Sequence, residues 1–469
     1  MKKYLKIVFI LVFFLICAYP LYGLIWYVEP EVTENKVLAS FPQLRDENGQ
    51  WNVDYMSGLG DYFSDHFAGR QEMITANALI NGKVFASSSE DIIIVGDDGW
   101  LFYKDSLGDF QGTKRLTQRG LNNIVTSLSL IQEYVEGQGK TFLFTVAPNK
   151  NTLYPQYMPY YYPERDVENT LERLEPLLKE AGIAYASLKD MFLNDSGIWY
   201  HKGDSHWDNR GALMAQKLLL GAIGKDYADI PLDGGVAYDD FEGDLDKIFY
   251  PLARHRERDW DYSGYFDFEY VGSSDTTQAH IETVNPSKEG SLVMVRDSFG
   301  NTLVPFMAQE FGEAYFTKTI PYRVDEIEMR DADVYMIEIV ERNLDQFQRK
   351  APVIPAPERT VDGEVSQVSM SQASAQMSVY DTYYKFAGMI AEEWTDEDSP
   401  VYLRVTSGSG ASCIYEMFPA NEGDTLEVTS DYGFAGYIPQ SILTEENYSA
   451  EILTRSDGQW VSSGVILQF

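Results

Sequence analysis

The chain has 469 residues, 44% of them hydrophobic and 23% charged, a globular composition with length for roughly two to four domains. With 37 basic against 72 acidic residues, the net charge is −35. That excludes a general nucleic-acid binder, which needs clustered Lys and Arg, and argues against the body lying flat on an anionic membrane. The two cysteines, Cys17 and Cys413, allow neither a disulfide framework nor a zinc site built on CxxC pairs.

Residues 7–28 carry no charge; Lys2, Lys3 and Lys6 precede them, and Glu29, Glu31 and Glu34 follow. A helix of about 20 apolar residues crosses a bilayer, and the positive-inside rule then puts everything after residue 30 outside. The rivals are a cleaved signal peptide and a lipoprotein. No small-x-small site follows the run, and Ile16 is too bulky to precede a lipobox cysteine. The expectation is a single-pass anchor over residues 1–30, a stalk over 31–58 and an extracytoplasmic body. Apolar spacing predicts a helix over 59–83, and an Asp98-Gly99 turn between DIIIV and WLFY predicts a hairpin. A helix over 117–136 comes next. From 141 to 340, apolar runs (TFLFTVAP, IAYASL, SLVMV, EAYFTKT, DVYMIEIV) alternate with amphipathic helices, which implies a parallel sheet covered on both faces. Residues 351–379, rich in Pro, Ser and Gln, read as a linker. Residues 380–469 show short alternating runs between Gly, Asp and Asn turns, which predicts an independent antiparallel β domain, a sandwich. Trp394, Tyr432, Tyr437 and Trp460 fall in or beside its turn-like segments, where rings can stack on sugars or pack inside.

Four motifs could carry chemistry. In RDSFG (296–300), Ser298 sits between a buried strand and a helix, where it is either a nucleophile beside free backbone donors or a helix cap. HKGDSHWDNRG (201–211) supplies Asp204 and His206 as a base and its orienting carboxylate, with Asp208 or Asn209 available to cap the next helix. The same loop offers His201, Asp204 and His206 to a metal, but no further tight cluster completes that shell. APNKNTLYPQYMP (147–159) brings Asn149, Lys150 and Tyr154 toward the sheet edge, and Asn149 is a candidate oxyanion or hydroxyl donor. EIVERNL (338–344) ends the last strand, where Arg342 is either a carboxylate receptor or a solvent-facing charge.

In order, GDDGWLFY, APNKNTLYP, the DSHW of GDSHWDNRGA, RDSFG and EIVERNL resemble the alginate O-acetyltransferase family of the AlgX and AlgJ type and the related DHHW-type proteins. The resemblance spans residues 60–350. It implies an α/β fold, an SGNH-hydrolase-like three-layer sandwich with a parallel sheet and permuted motif order, over residues 59–350. It also implies Ser298 as nucleophile, His206 as base and Asp204 as its orienter; no metal and no cofactor are expected. Where SGNH enzymes carry Gly-x-Asn-Asp, this chain has Glu341-Arg342-Asn343, so the oxyanion donors stay open among Asn149, Tyr154 and Arg342. The implied activity is extracytoplasmic O-acetylation of a cell-surface or exported polysaccharide through an acetyl-serine. The acetyl group would come from a polytopic membrane acyltransferase. A carbohydrate O-acetylesterase with the same triad, or a non-catalytic glycan-binding envelope protein, are the alternatives.

Overall fold

The computed structural model describes residues 2–25, 38–46, 49–164, 166–370, 372–421 and 430–469. Helix α1 (Lys2–Ile25) contains Pro20, whose carbonyl accepts from Ala68 N. Its described apolar side chains, Phe9, Phe13 and Phe14 among them, are exposed. Among the described residues, no helix is long and apolar enough to cross a membrane. The expected span of residues 7–28 runs beyond Ile25 and so ends outside the described residues, as does the first part of the expected stalk, residues 31–37. The rest of that segment is not a stalk throughout: α2 (Tyr55–His66) already begins within it, and α3 (Arg70–Phe85) follows.

The expected hairpin pairs β1 (Ile93–Val95) with β2 (Leu101–Tyr103). Helix α4 (Gln118–Gly137) starts at Thr117, whose side chain accepts from Gly120 N. Then come β3 (Thr141–Ala147), α5 (Thr170–Glu180), β4 (Tyr185–Ala186) and α6 (Asn209–Ala222). A hairpin of β5 (Val236–Phe241) and β6 (Glu257–Asp261) stands apart from the main sheet. After it come β7 (Glu269–Tyr270), β8 (His280–Val284), β9 (Ser291–Val295), α7 (Gly300–Ala308), β10 (Glu313–Thr317) and β11 (Val334–Val340).

The main sheet has the order β4-β3-β11-β9-β10-β8-β7. Its first five strands are parallel, as expected; β8 and β7 add an antiparallel edge from the turn-rich stretch. Strand residues alternate between two cores. Phe142 and Phe144 of β3 and Tyr335 and Ile337 of β11 pack under α4 and α5, while Leu143, Met294 and Met336 pack under α6 and α7. This is the three-layer α/β architecture.

The C-terminal region is β-rich. Strands β12 (Glu358–Arg359), β13 (Ser366–Gln367), β14 (Ser374–Tyr380), β15 (Tyr383–Met389), β16 (Val401–Ser407), β17 (Ser412–Met417), β18 (Gly433–Pro439), β19 (Tyr448–Ser456) and β20 (Gln459–Gln468) form sheets ordered β12-β17-β16-β19-β20-β13 and β14-β15-β18. Two expectations need correction. Residues 351–379 are not a linker: Ala351, Val353 and Ile354 are fully buried, and β12, β13 and β14 lie within the segment. Nor is the β region self-contained, since Phe418, Ala420, Ala435 and Tyr437 share one apolar core with α4, α5, β3 and β11. The four aromatics have structural partners. Tyr437 is buried, Arg119 lies 5.1 Å over the Tyr432 ring, Trp394 packs on the sandwich core, and Trp460 lies tilted 5.0 Å from Tyr402.

Candidate active site

Strand β9 delivers its chain end to the carboxyl edge of the sheet, and Arg296, Asp297, Ser298 and Phe299 span the gap to α7. Asp297 braces this turn: its carboxylate accepts from Phe299 N at 2.9 Å and from Val340 N, at the end of β11, at 2.7 Å. Gly300 is required because a Cβ there would come 2.6 Å from the Arg296 side chain. Beneath the turn, Glu338 Oε2 accepts from Asp297 N at 3.2 Å. Burial, and then the charge of Asp297, raise the Glu338 carboxyl well above its usual range.

The 201–208 loop enters α6. Asp208 is the cap, accepting from Gly211 N at 2.8 Å, which leaves Asp204 and His206 for other work. His206 Nε2 lies 2.9 Å from Ser298 Oγ, and His206 Nδ1 lies 2.7 Å from Asp204 Oδ1. The second Asp204 oxygen accepts from Asp244 N at 2.7 Å. Burial alone would push the His206 imidazolium down, but the Asp204 hydrogen bond and charge, with the charge of Asp244, hold it above the ordinary histidine value. Burial opposes ionisation of Asp204 too, yet the bond and charge of His206 and the two backbone donors depress its pKa. This arrangement suits proton removal from a serine hydroxyl.

Three groups that sequence reasoning did not assign hold this loop. Lys150 is buried, and its ammonium donates to the carbonyls of Leu101 at 2.7 Å, Lys202 at 2.6 Å and Asp204 at 2.8 Å. Burial pushes that ammonium down to about 7, against the pull of Glu257, Asp204 and Asp244. Asp244 accepts from Ser205 N at 2.8 Å and from Ser205 Oγ at 2.6 Å, which leaves its carboxylate 3.6 Å from His206 Nδ1. Its neighbour Gly243 must be glycine, because a Cβ there would sit 2.2 Å from the Gly203 carbonyl. Glu257 accepts from Lys202 N and Gly203 N. Asp244 lies 39 positions beyond Ser205, and Glu257 lies 54 beyond Gly203, out of reach of any local pattern. Lys150 stood in a motif already singled out, and its signal was a lysine just after a buried strand.

Ser298, His206 and Asp204 line a cavity of about 940 Å³. Tyr103, Tyr238, Phe241, Asn301, Lys318 and Arg342 form more of its wall. Arg342 therefore reaches the cavity, its guanidinium 5.1 Å from the Tyr103 ring centre. Asn149 and Tyr154 do not. Asn149 is fully buried, donating to Asp109 at 3.1 Å and, from its backbone, to Glu341 at 2.8 Å. The Tyr154 hydroxyl accepts from Trp199 N at 2.8 Å. His201 also departs from the metal arrangement: its ring stacks on Phe241 at 3.8 Å, with Nε2 3.4 Å from Asp259. Among the described residues, the carboxylate and imidazole atoms near enough to share an ion belong to Asp204, His206 and Asp244. Both His206 nitrogens there already face hydrogen-bond partners.

Residues 93–259 match the SGNH hydrolase-like domain of the acetyltransferase AlgX. The AlgX-like segment contains Asp204 and His206 and stops before Ser298. It bears out the family resemblance read from the motifs. A probable alginate O-acetylase AlgJ from Pseudomonas syringae pv. tomato is 24% identical over 192 residues, which cover 40% of this chain and 45% of the relative. The chain thus matches less than half the length of that relative. Bacillus cereus PatB1 superposes with a TM-score of 0.45 at 17% identity, covering 54% of this chain and 97% of PatB1. The O-acetyltransferase domain of Pseudomonas putida AlgJ gives 0.36 at 15% identity, covering 54% and 92%. Pseudomonas aeruginosa AlgX gives 0.35 at 13%, covering 81% and 90%.

Proposed function

We propose that this chain is an extracytoplasmic O-acetyltransferase that modifies hydroxyls of a cell-surface or exported polysaccharide. The observation that carries the reading is the unbroken series Ser298–His206–Asp204 opening on the cavity, within a chain whose residues 93–259 are AlgX-like. In the first half-reaction Ser298 Oγ attacks the acyl carbon of an acetyl donor, and its proton passes to His206 Nε2. The tetrahedral intermediate collapses, the donor's oxygen leaves with that proton, and acetyl-serine remains. A sugar hydroxyl then gives its proton to His206 and bonds to the acyl carbon; Ser298 leaves and recovers the proton. Asp204 orients the ring and stabilises its charged form throughout. The N-terminal apolar helix, with exposed side chains, would tether the enzyme to the membrane beside a polytopic acyltransferase that supplies acetyl.

The test incubates the purified chain with an activated acetyl ester and candidate oligosaccharides. Expected are one acetyl group on Ser298, acetylated oligosaccharide as product, and loss of both in Ser298→Ala and His206→Ala. Acetate released to water with no sugar product would make it an esterase. Undiminished turnover by Ser298→Ala would end the serine mechanism.

A further inference from the structure

Acyl transfer at Ser298 requires donors aimed at the oxygen that becomes negative. The amide that follows the serine is taken, because Phe299 N donates to Asp297, and Asp297 is fixed in turn by Val340 N. At the end of β11, Arg342 reaches the cavity with its guanidinium beside the Tyr103 ring, but the residue before it offers no donor. Glu341 is buried there as an acceptor for Asn149 N, Thr152 Oγ1 and Asn169 Nδ2.

We propose that the side-chain amide of Asn301 supplies the missing donor, completing the oxyanion site with Ser298's own backbone N–H. Asn301 lies one helical turn beyond Ser298 and lines the same cavity. Its orientation is set chemically. Arg296 Nη1 sits 2.6 Å from the Asn301 side chain, and a guanidinium only donates, so the atom facing it is Oδ1. Nδ2 is the other end of that amide, and among the described residues nothing accepts from it. The prop is itself rigid: Arg296 is buried and also donates to the carbonyls of Asp297 at 3.2 Å, Thr276 at 2.9 Å and Gln278 at 2.9 Å. Asn301 is thus held from behind by a group that cannot turn to solvent. Its place differs from the strand-end asparagine that the family resemblance led one to expect.

This assignment rests on the acetyl-serine reading above, and the experiment separates the two. The full chain is assayed with p-nitrophenyl acetate and titrated with phenylboronic acid, which forms a tetrahedral adduct on an attacking serine. Asn301→Ala should lower kcat by about 10²–10³-fold, with KM changed less than threefold. Boronate affinity should fall roughly in step with kcat/KM, a split that mere loosening of the loop does not produce. Asn301→Asp keeps the size and the Arg296 contact but removes the N–H, so it should remain folded and lose kcat and boronate affinity as well. If Ser298→Ala is inactive while a folded Asn301 variant keeps kcat within threefold, the donor is not Asn301. If Ser298→Ala stays active, the acetyl-serine reading fails first.

Discussion

His206 is where burial and charge pull in opposite directions. Burial disfavours the imidazolium, and Arg342 adds to that; Asp204 and Asp244 outweigh both and raise its pKa. A general base must be unprotonated, so the acid limb of the activity profile should lie above the ordinary histidine value of about 6.5. Asp244→Asn keeps an acceptor for Ser205 and removes one raising charge, so the limb of kcat/KM should move to lower pH with an activated ester; an unmoved limb would leave Asp244 no electrostatic role. The signs for stability differ between the partners. The raised His206 contributes stability that is complete below its unfolded pKa and is lost as pH climbs through the folded one. The depressed Asp204 contributes stability present above its unfolded pKa and lost as pH falls through the folded one. Lys150 acts at a different link, since it positions the chain that carries Asp204. Lys150→Met strands three carbonyls, those of Leu101 and Asp204 buried, and should cost roughly 2–4 kcal/mol, read as a lower Tm, with activity falling alongside.

Elements were legible where one strong pattern decided them. The continuous apolar runs of β3, β9 and β11 announced buried parallel strands, and Ser298 and the Asp204–His206 pair were legible because each sits just outside a regular element. Segment 351–379 misled because Pro, Ser and Gln are frequent in it, while the residues that bury it, Ala351, Val353, Ile354 and Ala356, form one short run at its start. Tyr432 and Tyr437 look exposed in a turn-rich sequence, yet Arg119 lies over the Tyr432 ring, and Tyr437 is buried in the core that the β region shares with α4. Arg119 on it donates to the carbonyls of Asp431 and Asp396, Asn123 donates to Asp431 O at 3.0 Å, and Gln348 donates to the Asp431 carboxylate at 2.7 Å. Phe418→Ala, in the shared core, should cost about 3–5 kcal/mol and lower one calorimetric transition for the whole body. Two separate transitions, with only one of them shifted, would contradict a shared core.

For the whole molecule, the net charge of −35 favours water around the body, while the N-terminal helix exposes its described apolar side chains and under the proposed function would be the membrane tether. With three lysines ahead of the apolar run, the body should face outward. Protease added to intact cells or protoplasts should then digest it. Protection that persists until the membrane is permeabilised would reverse the orientation, and a mature N-terminus near residue 24 would remove the anchor.

The β5–β6 hairpin gives the cavity Tyr238, Phe241 and Asp259, yet it belongs to no sheet that carries Ser298. Only two of its carboxylates are tied to the base loop: Glu257 through Lys202 N and Gly203 N, and Asp259 through Asn209 N and its amide. Phe241 also holds that loop, stacked on His201, and Tyr238 donates to Asp259. Under the proposed function, acceptor preference should follow the rest of this ribbon, and grafting it from a relative while keeping Phe241, Glu257 and Asp259 should change which oligosaccharide is acetylated without abolishing attack by Ser298 on an activated ester.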